Sequence, residues 1–288
     1  MHEVVIPARD GLPLAGKVYG EGRSAVVIVG AMGVPQRFYR RFAEWLADNG
    51  LRVVSFDWRG LGESALPSGA PVNMAIWAEQ DLEGVLAWVR TRLGAERIAV
   101  VGHSMGGQLL PLTDASTEVT AAYLVASQSG YWGHWSGLSR ARMLAIWHVL
   151  MPLSTRVFGK LPSQLLGGGQ DVPAGAADQW ARWGRHPDYV LSHRDDVRER
   201  FARLTLPICM VRATDDRLAP RRAVDALASY YAGATIERRV LDPAELGCDE
   251  IGHFGFFRQQ LGELLWPHAL AFLRKHLTAP AHADAALV

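Results

Sequence analysis

Cysteine is scarce in this chain, lysine is nearly absent, and no long apolar run occurs. Two cysteines in 288 residues, Cys209 and Cys248, cannot build a disulfide framework. Cys209 lies in a strand-like run and reads as a buried small hydrophobe. The neighbours of Cys248 supply no positive charge that would lower its pKa and make it reactive. No apolar run reaches the roughly 18 residues of a membrane span. The stretch from Met1 to Pro7 lacks a charged segment followed by a long apolar core, so a signal peptide is not expected and a cytoplasmic location is. The basic side chains, almost all arginine, are scattered, and the formal net charge is +1. Overall charge thus gives no reason to expect nucleic acid or an anionic membrane as a partner. The histidines show no His-Glu-x-x-His spacing. No metal and no organic cofactor are expected, and no internal repeat is visible.

What is present fits a globular protein with a sizeable core: 49% hydrophobic and 20% charged residues. Val4 to Ile6 and Leu12 to Tyr19 read as strands joined by the turn signal Arg9-Asp10-Gly11. Ala25 to Val29 is a continuous apolar run, the pattern of a strand buried on both faces. A helix is expected from about Gln36 to Asn49, then a strand over Leu51 to Phe56. A long helix comes next over Met74 to Leu93, with Leu82, Val85, Leu86, Val89 and Leu93 at helical spacing. Arg97 to Val101, Ala121 to Ala126, Pro207 to Arg212 and Thr235 to Leu241 are further strands. Helices are expected over Arg221 to Ala232 and Arg258 to Leu277. This alternation argues for a mostly parallel sheet covered on both sides by helices. Tyr131 to Arg200 contains no convincing strand and reads as a helical insertion. The expected organisation is core over 1–130, insertion over 131–200, core again over 201–278, and a disordered tail over 279–288.

The stretch Gly102-His103-Ser104-Met105-Gly106-Gly107 stands between the strand at Arg97 and a helix expected over Gln108 to Ser116. Pro111 should kink that helix or shorten its first segment. Strand, Gly-x-Ser-x-Gly, helix is the setting of a nucleophile elbow. The glycines supply room where the turn crowds the backbone. The first helical amides are unpaired donors suited to a developing oxyanion. With 29 glycines and 14 serines in the chain, chance gives about 0.14 such patterns, so the motif alone is weak. A matching acid and histidine later in the chain give it weight. Asp215-Asp216 comes after the strand at Pro207, and His253 after the strand at Thr235. A serine hydroxyl is a weak nucleophile until a base takes its proton, and a buried carboxylate fixes the tautomer of that base.

On these residues the chain resembles the α/β-hydrolases, in particular bacterial ones related to the serine aminopeptidase (S33) and monoacylglycerol lipase group. The resemblance covers about residues 10 to 277. Its matching pieces are Gly33 to Tyr39, Asp57 to Ser64, the elbow, Asp215 to Pro220, and Gly252 to Phe257. It implies an α/β-hydrolase fold, with a mostly parallel central sheet flanked by helices and a helical cap insertion. It also implies Ser104 as nucleophile and His253 as base. The family commonly places the acid four residues before a proline, which against Pro220 selects Asp216 over Asp215. The oxyanion donors implied are the amides of Met105 and of Met32, with Ala31 as alternative. Here Gly30-Ala31 stands where the family often has His-Gly.

Each of these residues has a plainer reading. Ser104 could be a surface turn serine, His253 a core histidine among phenylalanines, and Asp216 a helix N-cap before Arg221. Asp57 and Arg59 read as a structural turn, and His103 as a packing residue. The leading function is a serine hydrolase cleaving a carboxylic ester or related acyl bond through an acyl-enzyme. The alternatives are an acyltransferase on the same triad and a non-catalytic binding protein retaining the pocket. The expected partner is a small molecule, an apolar acyl ester.

The insertion carries Trp132, Trp135 and Trp147 as candidate pocket residues. Met143, Ile146, Trp147, Leu150 and Met151 fall on one helical face. Residues 131–170 contain Arg140, Arg142, Arg156 and Lys160 but no Asp or Glu. The plainer reading is that this face packs on the core. If part of it lines the pocket, the pocket is apolar and mildly positive, which suits an acyl chain and not a free α-amine.

Overall fold

Continuous apolar runs become strands buried on both faces. The strands are β1 (His2–Pro7), β2 (Pro13–Tyr19), β3 (Ser24–Val29), β4 (Arg52–Phe56), β5 (Arg97–His103) and β6 (Val119–Val125). They continue with β7 (Lys160–Leu161), β8 (Val172–Pro173), β9 (Pro207–Ala213) and β10 (Thr235–Leu241). These come from a computed structural model that describes residues 1–166 and 169–278. The expected tail at 279–288 lies outside the described residues.

Eight strands form one sheet in the order β1-β2-β4-β3-β5-β6-β9-β10. β4, β3, β5, β6, β9 and β10 run parallel; β1 and β2 join antiparallel at the β4 edge. Val26, Val27, Val100, Val101, Ala121 and Ala122 are fully buried at the centre. The mostly parallel sheet flanked by helices is the architecture expected of the sequence. In such a sheet the carboxyl ends of the strands gather at one rim, where ligands bind. Ser104, Asp216 and His253 all come after strands at that rim.

The helices depart from the expected pattern at identifiable places. The segment at Gln36 opens as a 3₁₀ turn, Gln36–Tyr39, before the α-helix Arg40–Asp48. The long helix at Met74 carries a π segment at Trp77–Leu82 before continuing over Glu83–Thr91. The helix after the elbow runs only over Gly106–Leu109 and tightens to 3₁₀ at Leu110–Leu112. Pro111 has no N–H to continue the ladder, so the expected short first segment forms.

Within 131–200 one expectation fails. β7 and β8 pair antiparallel, Lys160 with Pro173 and Leu161 with Val172. Each strand is two residues long, too short for alternation to register in the sequence. The remainder of the segment is helical, with α-helices Gly137–Ala145, Met151–Phe158, Ala174–Arg185 and Val197–Ala202. No helix among the described residues is long and apolar enough to cross a membrane.

Candidate active site

Ser104 follows β5 directly and takes φ 51°, a left-handed conformation that serine rarely adopts. Its N–H donates to the Val125 carbonyl at 2.9 Å, so the strand's last rung holds the strained residue in place. The two glycines are explained by space. A Cβ on Gly106 would stand 2.2 Å from the Val29 carbonyl oxygen, and one on Gly102 would stand 2.9 Å from the Gly107 nitrogen. Both obstacles are backbone, so neither yields cheaply.

The acid and the histidine meet. His253 Nδ1 donates to Asp216 Oδ2 at 2.8 Å. The other carboxylate oxygen accepts from the amides of Leu218 and Ala219 at 2.8 and 3.0 Å. Asp216 is therefore oriented by its own loop and aimed at the imidazole. It is buried, as is the serine. The N-cap position before Arg221 is held by Pro220, not by Asp216.

Asp215 does something else. Its oxygens accept from Ile251 N at 2.9 Å and from Gly252 N at 3.0 Å. It pins the loop that carries His253. Among the described residues Ser104 Oγ makes no hydrogen bond to His253. Nucleophile and base are often looser than hydrogen-bond distance before substrate binds.

His103, read from the sequence as a packing residue, is the hub of a hydrogen-bonded chain. Ala31 N–H donates to Tyr39 Oη at 2.8 Å. Tyr39 O–H faces His103 Nδ1 at 2.9 Å, and His103 Nε2 faces the His253 carbonyl at 2.9 Å. The carbonyl can only accept, so the proton sits on Nε2 and the Tyr39 hydroxyl donates to Nδ1. Burial, then the neighbouring His253, holds the His103 pKa well below 6.5. His103 is neutral in the fold. The stability this gives is complete above pH 6.5, the ordinary histidine value, and is lost as pH falls below it, because the unfolded chain then binds the extra proton.

The same hydrogen bonds decide which backbone donors are spare. The Ala31 amide is taken by Tyr39. The amides of Met32 and Met105 donate to no group among the described residues.

Asp57 and Arg59 serve structure. Asp57 accepts from Gln36 N, Gln36 Nε2 and Glu63 N at 2.7, 3.0 and 3.0 Å. Buried Arg59 bridges Asp81 at 2.6 Å and Asp10 at 2.8 Å. Among the described residues no group of three or more His, Cys, Asp or Glu side chains is placed to hold a metal ion.

A model of the family described as serine aminopeptidase, S33, matches residues 20–244. The chain belongs to that family. It is an α/β-hydrolase, and an enzyme. Nothing matches among curated proteins. Among solved structures the hydrolase resembles esterase Pf2001 of Pyrococcus furiosus, with a TM-score of 0.60, 17% identity, and 96% and 92% of the two chains covered. It also resembles mouse α/β-hydrolase domain-containing protein 10, with a TM-score of 0.64, 15% identity, and 96% and 99% covered. A third is a monoacylglycerol lipase of Paleococcus ferrophilus, with a TM-score of 0.61, 15% identity, and 91% and 99% covered. At these identities the likeness is one of fold.

In this S33 hydrolase the segment from 131 to 200 rests on the rim. Tyr189, buried at φ 50°, donates its hydroxyl to Gln108 on the elbow helix at 2.8 Å and accepts from Trp180 Nε1 at 2.9 Å. Trp135 is buried and donates Nε1 to the Arg217 carbonyl at 2.9 Å, next to Asp216. Trp132 is half-buried under the Arg140 guanidinium, 4.8 Å from its ring centre. Trp147 lies inside the segment, against Trp180 with ring centres 4.9 Å apart. A Cβ on Gly184 would stand 2.6 Å from its ring. Met143, Trp147 and Met151 are buried as the helical face implies, but Leu150 is exposed. The π segment Ile146–Leu150 inserts extra arc and turns Leu150 out of the stripe.

Asp215 enters the sequence reading only as a rival acid; its hold on the His253 loop escapes that reading, as do the roles of Tyr39 and Gln108. Their partners lie from 8 to 81 residues away, beyond any local pattern.

Tyr39→Phe removes the one hydroxyl that serves both Ala31 and His103. With two buried polar groups left unpartnered, it should cost about 1–3 kcal/mol. Urea unfolding of the variant against wild type measures this. An unchanged midpoint and slope would mean the hydrogen-bonded chain holds nothing together.

Proposed function

We propose that this hydrolase opens carboxylic esters through an acyl-enzyme on Ser104. The observation that carries the reading is the Asp216–His253 hydrogen bond beside a serine held in a left-handed turn. Asp216 fixes the Nδ1–H tautomer, which leaves Nε2 to take the Ser104 proton. The serine oxygen attacks the ester carbonyl. The amides of Met105 and Met32, both spare, donate to the oxyanion of the tetrahedral intermediate. His253 returns the proton to the leaving alcohol. Water then repeats the sequence on the acyl-enzyme and frees the acid.

Residues 131–200 act as a cap over this rim. Trp132 and Trp135 form the apolar wall facing the acyl group, and Trp147 backs that wall from within the cap. The family's name points to an amine-bearing substrate, but the cap does not favour one. A free α-amine needs a carboxylate partner when desolvated. Residues 131–170 hold none. The next acids along the chain are engaged: Asp171 with Lys160 and the Ser163 amide, and Asp178 with the Thr155 hydroxyl.

The two neighbouring acids separate by function. Asp216→Asn should lower kcat by about four orders of magnitude, because the amide stabilises the wrong tautomer. Asp215→Asn should cost far less, and should lower the melting temperature by loosening the loop at Gly252. Equal or reversed losses in kcat would put the acid elsewhere. Substrate class is tested by kcat/KM on p-nitrophenyl esters of short to medium acyl chains against aminoacyl anilides. Ester turnover with no anilide turnover is expected, and a preference for the anilide overturns the proposal.

A further inference from the structure

The outer face of the 131–200 segment is apolar and basic at once. Eight of the thirteen large hydrophobic side chains left exposed among the described residues fall between 138 and 165, about a tenth of the chain. Scattered single exposures are ordinary, whereas a contiguous set marks a binding surface. Val149, Leu153 and Val157 recur four residues apart along one continuous helical run, and Phe158 stands at its end; all are more than half exposed. The buried stripe of Met143, Trp147 and Met151 holds the opposite face.

Beside this ridge lies a cavity of about 410 Å³, bordered by Pro152, Thr155, Arg156, Asp178, Arg182 and Arg185 among others. Three arginines and one carboxylate line it, and that carboxylate accepts the Thr155 hydroxyl. Arg156, Arg182 and Arg185 have no acidic partner among the described residues. Arg142, on the same helical run as the ridge, has none either. The near-zero net charge of the whole chain conceals this local excess. The Asp and Glu side chains that balance it lie outside residues 131–170.

We propose that this face docks on an anionic phospholipid surface, with the ridge from Val149 to Phe158 in the acyl boundary and a headgroup phosphate in the Arg156–Arg182–Arg185 cavity. An apolar helical face flanked by arginines is the pattern of a helix lying in a membrane interface. Planar guanidiniums bind phosphate oxygens in pairs. A second copy of the chain is a poor occupant. Two-fold pairing through this face would set three arginines of one copy against three of the other, with a single carboxylate, Asp178, in each to offset them. The inference stands on surface chemistry alone and holds whichever acyl bond the enzyme cuts.

The test is flotation of the full chain with vesicles of phosphatidylcholine alone and of equimolar phosphatidylcholine and phosphatidylglycerol. Binding to the anionic vesicles only, weakened by high salt, is expected. Each arginine at such a surface is worth about fivefold in affinity. Arg156→Glu with Arg182→Glu should therefore weaken binding at least about 25-fold, and Leu153→Ser with Val157→Ser and Phe158→Ser should weaken it at least about tenfold. Turnover of a short-chain ester in vesicle-free buffer reports that the variants are folded, and the wild-type comparison of vesicles and salt stands without them. Inorganic phosphate, at ionic strength matched with chloride, should not release the protein; release by phosphate alone would mean a free-anion site and overturn the lipid assignment. Equal binding to both vesicles, or none, overturns it as well. So does a wild-type dimer in sedimentation that the triple serine variant converts to a monomer.

Discussion

The rim of this enzyme depends on one buried neutral imidazole. His103 joins three loops that have no covalent reason to stay together: the one carrying Ala31 and Met32, the elbow carrying Ser104, and the one carrying His253. The first joins through Tyr39, the last through the His253 backbone carbonyl. Every link is shorter than 3 Å, and the two through Tyr39 are buried, which makes them stronger than their counterparts at the surface. A protonated His103 would reverse the Tyr39 hydrogen bond and send the hydroxyl proton to seek another acceptor, at the cost of a buried charge. The charge state and the geometry thus enforce each other. The strain at Ser104 persists because the surroundings over-determine it. A left-handed serine costs on the order of 1–3 kcal/mol, and Val125, Gly102 and Gly106 leave the backbone no other path.

The neighbouring carboxylates divide the remaining work. Asp216 spends one oxygen on its own loop and the other on the imidazole, whereas Asp215 spends both on the backbone that delivers the imidazole. Two adjacent residues of identical chemistry reach different partners because the turn over Thr214 and Asp215 aims their side chains in different directions. Composition and charge cannot distinguish such a pair; the spacing to Pro220 favours Asp216 only through the resemblance, and the direction each carboxylate points separates their partners.

Much of the fold was legible in the sequence for a simple reason. Strands such as Ser24–Val29 and Arg97–His103 are buried on both faces, and a run of apolar β-branched residues leaves few other conformations to consider. The elbow was legible because glycine is demanded there by backbone contacts. The pairing of β7 with β8 was not, since two residues carry no periodicity. The π segments at Trp77 and Ile146 were not, since a single extra residue per turn is set by packing. Pro111 announced its own effect, because the missing N–H acts locally. In the segment over the rim, composition was readable but orientation was not. Trp135 reaches across to Arg217 while Trp147 stays within the segment, and nothing in the order of residues separates the two.

The proposed chemistry turns on Ser104 being the nucleophile. The most direct measurement is intact-protein mass spectrometry after reaction with a fluorophosphonate, and then peptide mapping. One phosphonyl adduct is predicted, on the peptide containing Ser104, and none on Ser104→Ala. An adduct of undiminished yield on the alanine variant, or one mapped to another serine, would contradict it.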